Sequence, residues 1–309
     1  MFRNRLRQVG WFAYELLGRS VRHHRLTHLV SNRMQLVSSK IRIPVTLSFA
    51  IPFFGYNSTV STTEVKQEPS DDDAKNELKQ KIIEADQLFL LNKFDDVVSL
   101  LEEYEDKNDV QVLWRISKAK YNMSLDENIS KEKKKMLISS AHESIIKALS
   151  IDSNISEVHK WAAVLIDAHS KINFGIKEQL EKLETVKFHL QRALELNPKD
   201  PLIRYMIGFW CYNLADISWF QRNIGSIIFS TEIPSSTFEE ALKYFKEAES
   251  LQPKFYCKNL LMLGKTFLKM DNKFSAEYYL KLVTQYPVKT VEDHEAKTEA
   301  EKILKSSIW

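Results

Sequence analysis

Near its C-terminus the chain reads Leu260-x2-Leu263-Gly264-x2-Phe267, then Ala276-x3-Leu280, then Pro287. Apolar residues recur there at helical spacing in two runs, with a glycine and an alanine placed where the two helices would touch. Pro253 and Pro287 bracket the unit at one repeat length, about 34 residues. This is the pattern of a tetratricopeptide repeat, a helix–turn–helix unit with small residues at its crossing and proline at its end. Such a unit cannot cover its apolar face alone, so it needs neighbours. A row of them forms a superhelix whose groove receives a partner. The expectation is an all-α repeat solenoid that works by binding.

The second-helix pattern locates earlier copies. Ala241-x3-Phe245-x2-Ala248-x4-Pro253 and Val186-x3-Leu190-x2-Ala193-x4-Pro198 are clear, Ala141-x3-Ile145-x2-Ala148-x4-Ser153 lacks only the proline, and Val97-x3-Leu101-x2-Tyr104 is weaker. First-helix partners are Leu88 with Ala85, Trp114 with Tyr121, Trp161 with Leu165 and Ala168, and Gly208 with Cys211. Five irregular repeats, roughly ten helices, fit residues 76–305. Gly208 and Gly264 take the close-crossing position.

Three connections between first and second helices exceed the standard length. Those beginning near Lys118 and Leu165 contain helical segments at 131–137 and 177–183, so extended helices are expected. The longest, between Gly208 and Ala241, is crowded with Ile217, Trp219, Phe220, Ile224, Ile227, Ile228 and Phe229. So apolar an insertion must pack back on the solenoid or enter a partner or lipid.

Charge divides the chain. Residues 1–63 hold nine Lys/Arg against one acid, Glu15, a balance of +8; with +3 overall, the remainder carries −5. The body is therefore no general polyanion binder, and nucleic acid is not an expected partner. Residues 1–60 form an Arg-rich, acid-poor leader with a modestly amphipathic start, expected to be disordered or a targeting segment of mitochondrial type. Its apolar stretch from Ile43 to Tyr56 is short of the ~20 residues a membrane span needs and is interrupted by Pro44 and Pro52. Residues 61–75 read as an acidic polar linker, with Ser70 and the aspartates after it suited to a helix start.

No P-loop, dinucleotide-binding glycine pattern, metalloprotease histidine pair or paired-cysteine metal site is present. His142, His159, His169, His189 and His294 are scattered over the helices, and His159 and His169, which can share one, stand about 15 Å apart along it. Cys211 and Cys257 lie in apolar helical patterns and read as reduced packing residues. No catalytic residue, metal ligand or cofactor is expected.

The run Ser218-Trp-Phe-Gln-Arg222, the helix Phe238-Glu-Glu-Ala-Leu-Lys-Tyr-Phe-Lys-Glu-Ala-Glu249 and the helix Tyr256-Cys-Lys-Asn-Leu-Leu-Met-Leu-Gly-Lys-Thr266 resemble the regulator of microtubule dynamics family. The similarity covers about residues 76–305. It implies a non-enzymatic protein of the cytoplasm and cytoskeleton that associates with microtubules and with the spindle and its poles, affecting chromosome segregation. Some relatives instead sit on mitochondria as tethers and hold phospholipid, which keeps open a mitochondrial reading in which the groove takes a lipid or a partner helix.

Two binding surfaces follow. Lys258, Lys265 and Lys269 share one face of the first helix of the last repeat, on the expected concave side, and would suit the acidic tails of tubulin through screened Coulomb attraction. Tyr205, Phe209 and Tyr212 share a face one repeat earlier; they would floor an apolar slot for a helix or an acyl chain, or serve as inter-repeat packing.

Overall fold

The computed structural model describes residues 71–306. They are helical throughout, with no strand among them. The leader and Ser70 lie outside the described residues, and the first described helix begins at Asp71, inside the stretch read as linker.

The helices are α1 (Asp71–Leu90), α2 (Phe94–Leu101), α3 (Val110–Met123), α4 (Lys131–Ile151), α5 (Ser156–Asn173), α6 (Ile176–Glu181), α7 (Leu183–Leu196), α8 (Pro201–Ala215), α9 (Trp219–Phe229), α10 (Phe238–Leu251), α11 (Cys257–Lys269), α12 (Lys273–Thr284) and α13 (Val291–Lys305). A 3-10 segment, Glu102–Lys107, follows α2. Five antiparallel pairs carry the architecture: α1/α2, α3/α4, α5/α7, α8/α10 and α11/α12. The five repeats expected from the pattern are these pairs. Short α6 and α9 fill insertions, and α13 closes the end against α11 and α12.

Local chemistry starts several helices. The carboxylates of Asp109 and Asp200 accept from the backbone N–H groups of Gln111 and Val112, and of Leu202 and Ile203. Thr237 caps α10, and Ser218 and Thr290 form capping boxes with Gln221 and Asp293. Each satisfies donors the helix leaves open at its first turn.

Within a pair the helices approach through small residues. Ala85, Ser117, Ala163, Gly208 and Gly264 occupy equivalent, fully buried places on the first helices. A Cβ on Gly208 would lie 2.8 Å from the Phe245 ring, and one on Gly264 2.7 Å from Leu280. The crossing residues of the second and third pairs are thus Ser117 and Ala163, not Lys118 and Leu165 beside them. Trp161, Trp210, Phe245, Leu165 and Leu190 are among the largest side chains removed from water.

The insertions behave differently from one another. That before α4 extends the helix without a break from Lys131, as its periodicity suggests. That before α7 does not: it forms a separate α6, and the chain turns at Lys182 before α7 begins. Six residues make too short a run to continue the helix against the α5 end it packs on. Insertion helix α9 packs closely on no other helix. No helix among the described residues is long and apolar enough to cross a membrane.

Candidate functional site: the concave face of the first helices

Counted from their first residues, Val110, Ser156, Pro201 and Cys257, equal positions on α3, α5, α8 and α11 correspond, although only Asp109 and Asp200 cap through a side chain. One face gathers Trp114, Lys118 and Tyr121 from α3, Lys160 and Asp167 from α5, Tyr205, Phe209 and Tyr212 from α8, and Lys258 and Lys265 from α11. Tyr121 is buried, which raises its hydroxyl pKa well above the usual phenol value, and the carboxylates of Asp167 and of Glu292, on the last helix, add to that rise.

Most charges on the face are matched in pairs. Arg115 forks onto Asp86 of α1 at 2.9 and 2.8 Å, and its guanidinium stacks 4.1 Å from the Trp114 ring. Lys160 donates to Glu157 at 2.7 Å and to Asp200, the cap of α8, at 2.9 Å, tying α5 to the next pair. Lys171 donates to Asp167 at 2.6 Å. Burial still holds the Asp167 carboxyl up at about 6, with Lys171 pulling against that rise.

All three lysines of the proposed acidic-peptide stripe have carboxylate partners in the same chain. Lys258 lies 3.2 Å from Glu292 and 3.9 Å from Glu295, Lys265 lies 2.6 Å from Glu299, and Lys269 contacts Asp216 at the end of α8. Glu292, Glu295 and Glu299 fall on successive turns of one face of α13, so an acidic helix already lies along the lysine row. Sequence spacing put the lysines together but could not show what sat opposite them.

The aromatic trio is largely packing. Tyr205 and Tyr212 are buried and Phe209 is half-buried. The Tyr205 ring stands edge-on to Tyr256 at 4.9 Å and stacks on Phe209 at 6.0 Å; Tyr212 meets Phe238 at 5.4 Å. Burial raises both tyrosine hydroxyls far above the usual range. The Tyr256 hydroxyl donates to Glu292 at 3.1 Å, so the aromatic cluster and the acidic helix are joined.

Histidines pair across helices in a way their spacing does not reveal. His159 and His189 approach Nδ1 to Nδ1 at 2.8 Å, and His159 Nε2 lies 2.8 Å from the Ser153 carbonyl. A carbonyl only accepts, so His159 is protonated at Nε2 and its Nδ1 accepts from His189. His142 and His169 stack at 4.2 Å. No group of three or more His, Cys, Asp or Glu that could hold a metal is gathered among the described residues. Cys211 and Cys257 are buried and unpaired, their thiols pushed up to about 12 by desolvation.

A profile of the family described as regulator of microtubule dynamics protein 1-3 matches residues 82–307. The chain belongs to this family. It is 38% identical over 229 residues to regulator of microtubule dynamics protein 1 of Bos taurus, spanning 74% of this chain and 72% of that one. It is 40% identical over 193 residues to the Homo sapiens protein 1, spanning 62% and 61% of the two chains. The Xenopus laevis protein 3 is 30% identical over 194 residues, which cover 63% of this chain and 41% of that one. Among solved structures, TTC0263, a tetratricopeptide protein of Thermus thermophilus, superposes with a TM-score of 0.51 at 13% identity, over 72% of this chain and 98% of that one. That likeness shows the fold alone. Within the matched stretch lies α9, whose Arg222 donates to the carbonyls of Leu214, Ile233 and Pro234 and clips the insertion shut.

Proposed function

We propose that this chain acts in microtubule dynamics as a non-enzymatic binding scaffold whose concave face receives an acidic segment, the Glu-rich tails of tubulin being the partner. Spindle and spindle-pole association and a part in chromosome segregation go with that reading. Its support is family membership together with one geometric observation: Lys258 and Lys265 hold Glu292, Glu295 and Glu299, acids spaced by helical turns. A face that accommodates one row of carboxylates is complementary to another. Because the body is net acidic, affinity comes from this local patch and falls steeply as salt screens it.

The test is co-sedimentation with microtubules at low and high salt. Charge reversal at Lys258, Lys265 and Lys269 abolishes pelleting, with the circular dichroism spectrum showing that the variant stays helical. Pelleting at the wild-type level by a folded variant rejects the assignment.

A mitochondrial address is the second reading, supported by the +8 balance of residues 1–63. Deleting residues 1–60 from a fluorescent fusion removes it from mitochondria on this reading. A deletion that stays on mitochondria ends it. Lipid mass spectrometry of the purified body separates a lipid-holding groove from one that takes a helix.

A further inference from the structure

Nine lysines and arginines lie on the inner helices α3, α5, α8 and α11, and eight of them have a carboxylate at ion-pair distance: Arg115, Lys120, Lys160, Lys171, Arg204, Lys258, Lys265 and Lys269. Among the described residues, the exception is Lys118. Its ammonium sits 3.9 Å over the centre of the buried Phe89 ring, in the seam between α1 and α3. The charged groups around it are already committed to one another. Asp86 is bound by Arg115, and Glu157 is bound by Lys160. Lys118 occupies on α3 the place that Phe209 holds on α8 and Lys265 on α11, so it looks into the concave face.

We propose that Lys118 is the anchor for one carboxylate of an acidic peptide laid along the concave face. The proposal rests on the reading of that face as a receptor for acidic segments, and it names the cation that such a segment meets without first displacing a carboxylate of the chain. A partly desolvated ammonium held by an aromatic ring still lacks a hydrogen-bond acceptor, and a carboxylate supplies one. Two carboxylates, Glu157 and Asp86, and two cations, Lys160 and Arg115, act on Lys118 electrostatically, so their effects oppose one another and the ammonium itself is what an anion meets. A Glu-rich peptide adds contacts along the face that a small free anion lacks. Burial draws the Lys118 amine down to about 8, outweighing the opposing pull of Glu157 and Asp86. Such an amine reacts readily when free and is protected when paired.

The experiment uses the full chain, a synthetic Glu-rich peptide and, separately, inorganic phosphate. Competitive acetylation with mass-spectrometric readout follows the Lys118 amine across pH 6–11. Without peptide it titrates near 8. Saturating peptide shifts that titration upward and protects the amine about tenfold, while equimolar phosphate does neither. Lys118→Met weakens peptide binding by about tenfold or more, the loss expected for one charge-assisted hydrogen bond. If the peptide binds but leaves Lys118 labelling unchanged and binds Lys118→Met as tightly as the natural chain, the anchor assignment is wrong and the wider reading of the face survives. If the peptide does not bind the natural chain at all, both fall. Equal protection by phosphate overturns the preference for a peptide carboxylate over a small free anion.

Discussion

Gly208 and Phe245 meet so closely that a Cβ on the glycine would lie 2.8 Å from two atoms of the ring and 3.2 Å from the Ala241 carbonyl oxygen. Gly264 stands to Leu280 and Ala276 in the same relation, one repeat later. These contacts set how near the two helices of a pair approach, and hence how every later pair is oriented.

Gly208→Ala and Gly264→Ala are therefore expected to destabilise the body. Alanine is the better helix former by about 1 kcal/mol, but overpacking a filled crossing costs about 1–3 kcal/mol. Phe245 and Leu280 are fully buried and have nowhere to withdraw. The net loss, about 0–2 kcal/mol, is measured by urea unfolding. An increase in stability would show that the crossing has slack.

Stability should fall on mild acidification through the histidine pairs. Burial draws His142 and His189 down to about 4, with His169 and Lys182 adding to the effect on His142 and His159 to that on His189. The unfolded chain takes up these protons near pH 6.5 and the folded chain only near 4, so the contribution is complete above about 6.5 and is lost as pH falls towards 4. Asp167, held up at about 6, works in the opposite direction over part of that range. Replacing His142 and His189 with Asn should flatten the decline in urea midpoint between pH 6.5 and 4.5. An unaltered decline would place it on other groups.

Arg222 holds the α9 insertion through three backbone carbonyls and supplies nothing to the solenoid core. Arg222→Ala should leave the main unfolding transition nearly unchanged while exposing 216–236 to chymotrypsin. Trp219 and Phe220 are 77% and 52% exposed, so the segment already has aromatic cleavage sites at the surface, and the clip restrains it together with the buried Ile217 and Ile233 at its ends. Cleavage no faster than in the natural chain would mean that the helix is held by something other than Arg222.

The acidic row of α13 should be loosened by reversing one partner and restored by reversing both. Lys258→Glu puts like charges beside Glu292 and Glu295, and hydrogen exchange across 291–305 should quicken. Lys258→Glu combined with Glu292→Lys should recover much of the protection, with a coupling of about 0.5–1 kcal/mol, in the range of partly exposed pairs. Additive effects would show that the pair contributes nothing to the docking of α13, which also buries Ala296 and Ala300.

Within each repeat, structure follows from short-range pattern. The spacing from Gly264 to Ala276 to Leu280 identifies a helix pair and its crossing, because those residues are bound to the same two helices. Where insertions stretched the repeat, the register slipped: Ser117 and Ala163 are the crossing residues, and nothing in their local spacing separates them from Lys118 and Leu165. Family membership was equally visible, carried by the 218–222 run and the helices that follow it.

Contacts between repeats were another matter. His159 finding His189, Glu292 accepting from Tyr256, the lysine row meeting an acidic helix and Lys118 finding no carboxylate among the described residues all depend on the turn from each pair to the next. By itself the sequence determined that this is an all-helical row of five pairs, with small residues at their crossings and cations on the inner helices, since periodicity acts over a few helical turns. Only the tertiary structure decided which of those cations are neutralised. Superhelical curvature sums small rotations over many residues and brings together side chains that no local spacing relates.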